Sequence, residues 1–220
     1  MVINRHGQVV GNYSKVFPVF GDVGQTVPPT IPGEVGPPTY VFPSSQGARV
    51  FDLDFGRVAV FICYDINFAE LWMQAEALGA DMVLWPSAMA TPDPSVNGYA
   101  RVFQYDIVSV GFPGQFLDRA GVELPLEGYN ATGWPMLKMA HVDIDRTFVH
   151  WDHNRDKVAQ LLSDHPEVVK DVEGPPFWLL RSTDPATSVR ALCKQYQIET
   201  AREYIHRSRE GLNRLRNYGA

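Results

Sequence analysis

Cys63 is the residue whose surroundings suggest chemistry. In "GRVAVFICYDINFAELW", Gly56 to Trp72, an apolar run ends on this thiol, polar residues follow, and helical spacing then begins. A strand–thiol–helix order places a nucleophilic side chain at a sharp turn and aims backbone N–H groups at whatever it attacks. A free thiol has a pKa near ~8.5, so little of it is thiolate at neutral pH and a neighbouring cation or base must assist. A packed structural cysteine gives the same local pattern, and on these residues alone both readings stay open.

The six histidines are the obvious partners for a thiol. His6 lies beside the first turn, His141 within an apolar stretch, His150 and His153 in a polar segment, and His165 and His206 further on. None carries a neighbouring pattern that marks it as a base. His150-x-x-His153 supplies two metal-type ligands with no third nearby, so no metal site is expected. Lys15 closes the strand-like "GNYSKV"; it is either an ordinary surface lysine or a cation aimed at a site. Asp22 follows in "FPVFGD", where a turn residue is the plain reading, and Glu34 in "IPGEVG" is a rival carboxylate. Trp85, Pro86 and Ser87 come after a buried strand, and pocket lining and core packing fit Trp85 equally. Cys193, in "RALCKQY", shows no site pattern.

These residues need elements to hold them. "MVIN" and "VVGNYSKV" read as a hairpin around "RHGQ". Residues 17–46 are rich in Pro and Gly and read as a long irregular loop. "ARVFDLDFGRVAVFIC" reads as a second hairpin turning near Phe55-Gly56, and Val58 to Ile62 have the continuous apolar character of a strand covered on both faces. Asn67 with Glu70 three residues on matches a capping box. Phe68, Leu71, Trp72, Ala75 and Leu78 follow helical spacing, and Gly79 ends the helix. "DMVLWPS" reads as a strand, Val96 to Asp106 as a helix, and "IVSVGFPGQFLDRAGVEL" as two strands with a turn at Arg119-Ala120-Gly121. "MLKMAHVDID" reads as a further strand, Thr147 to Val169 as a polar helix broken by "EGPPFW", and Ser188 to Arg216 as an amphipathic, arginine-bearing tail. Strand and helix in alternation predict a layered α/β fold.

The bulk properties agree with a packed domain. The 220 residues are 45% hydrophobic with a formal charge of −6 and no basic block, which argues against nucleic acid as a partner. No apolar run is long enough to cross a bilayer, and the N-terminus lacks the apolar core of a signal peptide. Two cysteines far apart form neither a disulfide framework nor a metal knuckle, so a cytoplasmic chain with free thiols is expected.

Taken together, these stretches resemble the nitrilase, or carbon–nitrogen hydrolase, superfamily. "FGRVAVFICYDINFAELW" resembles its nucleophile block, "GADMVLWPSA" the strand and pocket loop after it, "GQVVGNYSKVFP" its lysine block, and "LDRAGVEL" its late hairpin. The resemblance runs from the start of the chain to roughly Asp145. It implies an αββα sandwich, with the family domain over 1–175 and a helical packing or oligomerisation arm over 176–220. It implies no cofactor. It also implies a Cys63 nucleophile, with Lys15 and the Tyr64 N–H stabilising the oxyanion, acting on a non-peptide C–N bond.

The departures from the family pattern matter as much. The family's base is a glutamate on a strand preceding the lysine block, and every glutamate here follows Lys15. The sandwich is therefore expected to lack its N-terminal strand and helices, and the chain by itself to acylate more readily than it turns over. Asp22 stands where an assisting glutamate is usual, and Phe17 where relatives often have histidine. Tyr64-Asp65 after the cysteine resembles the amidase and carbamoylase branches, with nitrile hydrolysis as an alternative. The expected partners are a small amide-type substrate and further copies of the chain. The competing readings are a non-catalytic binding or assembly subunit and an unrelated Cys–His hydrolase.

Overall fold

The computed structural model describes residues 1–27, 39–88, 94–111, 114–125, 127–129, 137–174 and 176–218. They fall into two compact units, Met1–Ile144 and Asp145–Ala220. The domain boundary expected at 175/176 falls inside a strand hairpin of the second unit.

The first unit opens with the expected hairpin, β1 (Val2–Ile3) against β2 (Val9–Gly11), the second strand shorter than its apolar run suggested. A 3₁₀ turn at Phe20–Asp22 and the small pair β3 (Thr26–Val27) and β4 (Thr39–Tyr40) occupy the described parts of the long loop. The principal sheet is built from β5 (Val50–Leu53), β6 (Gly56–Val60), β7 (Met82–Pro86), β8 (Asp106–Val110) and β9 (Phe116–Leu117), hydrogen-bonded in that order. β6, β7 and β8 are parallel, while β5 and β9 pair antiparallel at the edges. The hairpin register, Leu53 opposite Gly56, places the turn at Asp54-Phe55. The central strands are covered on both faces: Val58, Ala59, Phe61 and Val83 are fully buried, which explains their unbroken apolar run. A further pair, β10 (Glu127–Tyr129) and β11 (Leu137–Met139), realises only the start of "MLKMAHVDID" as strand.

Two helices connect the parallel strands. α1 (Ala69–Ala77) buries Leu71, Trp72 and Ala75, while Leu78 is exposed at its end. It stops as the sequence predicts: Gly79 has φ +78°, its N–H donates to the Glu76 carbonyl, and the Ala80 N–H donates to Ala75. Its start differs from expectation. Asn67 still belongs to a 3₁₀ turn, Cys63–Asn67, and its side chain turns back to the Tyr64 carbonyl. Phe68 takes the N-cap position without a side-chain cap, so the Asn67–Glu70 capping box does not form. α2 (Pro94–Phe103) joins β7 to β8 and presents Val96 and Ala100 to the core.

The second unit corrects the reading of Thr147–Val169 as one helix. It begins with a strand, β12 (Thr147–His150), buried at every position, and only then forms α3 (Arg155–Asp164). β13 (Val168–Gly174) and β14 (Phe177–Ser182) complete an antiparallel sheet ordered β12-β14-β13, with Phe148 opposite Leu179. The "EGPPFW" segment expected to break a helix instead has Gly174 paired with Phe177 between the two strands. α4 (Val189–Gln195) and α5 (Ala201–Tyr218) follow, so the arm expected to be helical over 176–220 begins instead with the strand β14 and is helical only in its later part. Val149, Val158, Leu161, Leu180, Val189 and Cys193 share its core. The chain is a mixed α/β protein, and among the described residues no helix is long and apolar enough to cross a membrane.

Candidate active site

Cys63 follows the end of β6 at the entrance to the 3₁₀ turn, half-buried, with φ +50°. A non-glycine residue in that left-handed region persists only where its surroundings over-determine it. They do so here. Trp85 donates its indole N–H to the Cys63 carbonyl at 2.9 Å, and Trp72 donates to the Asp65 carbonyl at 3.1 Å. The Tyr99 hydroxyl donates to the Ile66 carbonyl at 3.1 Å. With Asn67 on Tyr64, four successive carbonyls of the turn each take a side-chain donor.

The turn is closed by Asp65. Its N–H donates to the Ile62 carbonyl at 3.1 Å, and its carboxylate accepts the Ile62 N–H at 2.8 Å. The side chain is fully buried. It also accepts the Tyr13 hydroxyl at 2.8 Å and the Phe17 N–H at 2.9 Å. Burial, then the negative charge and acceptor of Asp65, push the Tyr13 phenol above its ordinary range, which keeps it a donor. The Asp65 carboxylate gathers three donors, yet only the family resemblance singled it out, as part of the Tyr64-Asp65 pair. Two of its partners, Tyr13 and Phe17, lie 52 and 48 residues upstream, where local pattern cannot reach.

Tyr13 and Phe17 bracket Lys15. Tyr13 meets Phe61 edge-on at 6.0 Å, and Phe17 stacks on Phe68 at 3.6 Å with 9° between the rings. The lysine block is therefore fastened on both sides to the end of β6 and the start of α1. Lys15 itself is half-buried, and its carbonyl accepts the Ser44 N–H at 3.1 Å. Among the described residues, neither the Lys15 ammonium nor the Cys63 thiol is engaged in a hydrogen bond or ion pair.

The remaining expected residues take varied positions. Tyr64 directly follows Cys63; the residue is 38% exposed and its ring is edge-on to Phe68. Asp22 ends the exposed 3₁₀ turn, and its carboxylate makes no hydrogen bond or ion pair among the described residues. Glu34 lies outside the described residues. Trp85 is buried with its N–H committed to Cys63, Pro86 is exposed, and Ser87 is buried with its N–H on the Val110 carbonyl. His150 is buried in the second unit, stacked on Tyr204 at 4.0 Å with Nδ1 accepting the Asp152 N–H. Among the described residues no group of three or more His, Cys, Asp or Glu gathers to hold a metal ion. Cys193 is buried in α4, where burial, followed by the charges of Asp145 and Glu203, pushes its thiol up to about 12.

Comparison with known proteins places this geometry in context. Residues 1–104 match the family model described as carbon-nitrogen hydrolase. The chain is 46% identical over 54 residues to the probable hydrolase YhcX of Bacillus subtilis (strain 168); that stretch is 24% of this chain and 10% of that protein. It is similar to the solved carbon-nitrogen hydrolase of Helicobacter pylori G27, with 15% identity and a TM-score of 0.49, over 65% of this chain and 55% of that one. It is also similar to an amidase from Nesterenkonia sp., with 20% identity and a TM-score of 0.43, over 72% of this chain and 58% of that one. The matches thus cover little more than half of these solved proteins and a tenth of the curated one.

Proposed function

We propose, from the match of residues 1–104 to the carbon-nitrogen hydrolase family model, that the chain is a member of that family and that Cys63 is the nucleophile of a thiol-dependent hydrolysis of an amide or N-carbamoyl compound. The Cys63 thiolate attacks the carbonyl carbon, and the C=O electron pair moves onto oxygen. The Lys15 ammonium and the Tyr64 N–H stabilise that oxyanion. Collapse expels the amine or ammonia, which carries off the proton that the Cys63 thiol gave up, and leaves a thioester. Water then cleaves the thioester, releasing the acid and restoring the thiol.

The observation that carries this reading is the turn at Cys63. A strained φ of +50° at a strand end is fixed by Trp85 and Asp65, and the same Asp65 holds both flanks of Lys15. The Tyr64-Asp65 pair favours an amide-type substrate over a nitrile. Two free cysteines suit a reducing, cytoplasmic setting. Self-association is part of the same reading, through the outer face of α5, where Leu212 and Leu215 are 53% and 69% exposed. Light scattering that gives a monomer at every concentration overturns that part.

The test of the nucleophile is acylation by an activated carboxylic ester, read from the mass of the Cys63 peptide. Acylation at Cys63 is expected, slowed about 100- to 1000-fold in Lys15→Ala. A folded chain that takes no acyl group at Cys63, or one in which Lys15→Ala acylates at the normal rate, overturns the reading. The first of those outcomes favours a non-catalytic binding or assembly subunit.

A further inference from the structure

Between Asn12 and Phe17 the chain has no regular hydrogen-bonded structure. Nothing in a helical or sheet ladder therefore sets where Lys15 stands. The contacts around it converge on one buried carboxylate. Asp65 Oδ1 accepts the Phe17 N–H at 2.9 Å, and Oδ2 accepts the Tyr13 hydroxyl and the Ile62 N–H, each at 2.8 Å. Tyr13 and Phe17 lie two residues to either side of Lys15, and Ile62 directly precedes Cys63. We propose that Asp65 is a positioning residue that fixes the Lys15 ammonium relative to the Cys63 thiol through its hydrogen bonds to Tyr13, Phe17 and Ile62. The proposal rests on the roles given above to Lys15 and Cys63.

The chemistry of the side chain suits this task. A fully buried carboxylate is tolerated only when charge-assisted donors surround it, and three are present. Both oxygens are committed to backbone N–H groups from different parts of the chain, Oδ1 to Phe17 and Oδ2 to Ile62. An asparagine has one acceptor oxygen and one NH₂ donor. Whichever way that amide were turned, one of those two N–H groups would face a donor. Asp65→Asn therefore keeps the shape and breaks the link.

Two readouts on the 220-residue chain separate the link from its consequence. The first is amide exchange by NMR. In Asp65→Asn, exchange at Phe17 or Ile62 is expected to rise roughly 10- to 100-fold. The amide of Phe61, bonded to the Leu84 carbonyl in the sheet, is expected to change far less. The second is the nitrile stretch of cyanylated Cys63, which reports the local field. In the native sequence Lys15→Ala is expected to shift the band, and in the Asp65→Asn background that Lys15-dependent shift is expected to vanish. A merely structural role does not remove it.

Unchanged exchange at both amides overturns the proposal. So does faster exchange with the full Lys15-dependent shift retained, because Asp65 would then hold the backbone without placing the lysine. Both outcomes leave the roles of Cys63 and Lys15 intact. No Lys15-dependent shift in the native sequence instead removes Lys15 from the site, and the proposal falls with it. Where Asp65→Asn does not fold, Tyr13→Phe removes one donor and keeps the ring. It is expected to reduce the Lys15-dependent shift, and the full shift there overturns the proposal.

Discussion

Trp85 donates its indole N–H to the carbonyl of Cys63 across 2.9 Å, tying the end of one parallel strand to the strained turn that follows its neighbour. Trp85→Phe keeps an aromatic body in the core and leaves this acceptor without its donor. An unsatisfied buried acceptor costs about 1–3 kcal/mol, so the urea midpoint should fall by that equivalent, with a changed rate of Cys63 alkylation. An unchanged midpoint and an unchanged rate would show that the bond does not support the turn.

The two thiols should label very differently. Cys63 is half-buried at the turn, whereas Cys193 is 1% exposed with its thiol pushed up to about 12. Substoichiometric iodoacetamide should modify the Cys63 peptide in folded protein, and the Cys193 peptide only after denaturation. Preferential labelling of Cys193 in folded protein contradicts the assignment.

Cys193 also predicts an alkaline limb in stability. Its thiol is raised from 9.0 to about 12, so the unfolded chain loses the proton first as pH rises. The stabilisation is complete below about pH 9 and is lost as pH rises through about 12. Cys193→Ala should therefore flatten the decline of unfolding free energy with pH, by at most ~1.4 kcal/mol per pH unit. Tyr13, shifted in the same direction, should leave part of the limb in place.

Gly121 and Gly7 test backbone strain against crowding. Both have positive φ, +75° and +76°, but a Cβ at Gly121 would lie 2.7 Å from the Asn97 carbonyl oxygen, and one at Gly7 meets nothing within 4 Å. Gly7→Ala should cost roughly 1 kcal/mol from conformation alone, and Gly121→Ala clearly more. Equal melting temperatures for the two variants would contradict this.

Arg119 and Asp106 form a buried ion pair, with the guanidinium 2.6 Å from the carboxylate and both side chains at most 5% exposed. Burial pushes the Asp106 carboxyl up, and the Arg119 charge opposes that shift. Arg119→Met strands a buried carboxylate and should destabilise the fold by about 3–5 kcal/mol in urea titration. Replacing Asp106 with Leu in the same chain should recover much of the loss, since a pair of apolar residues avoids the unpaired charge.

Local chemistry accounts for what the amino-acid sequence by itself determined. Leu53-to-Gly56 turning, the covered strand at Val58–Phe61, the buried stripe Leu71–Trp72–Ala75 and the stop at Gly79 follow from patterns a few residues long. So does the turn after Leu117, where the Asp118 carboxylate takes the N–H groups of Ala120 and Val122. The pairing of the lysine block with the thiol block came from the family resemblance, not from local pattern. Tertiary structure decided what those patterns leave open. Thr147–His150 became a strand because β14, thirty residues on, pairs with it, Leu180 opposite Thr147 and Leu179 opposite Phe148. Asn67 gave up its cap because the 3₁₀ turn from Cys63 runs through it. Asp65 reaches Tyr13 and Phe17 across 52 and 48 residues, and Trp85 reaches Cys63 across 22. Hydrogen bonds of that separation depend on the path of the whole chain, which residue type and spacing do not encode locally.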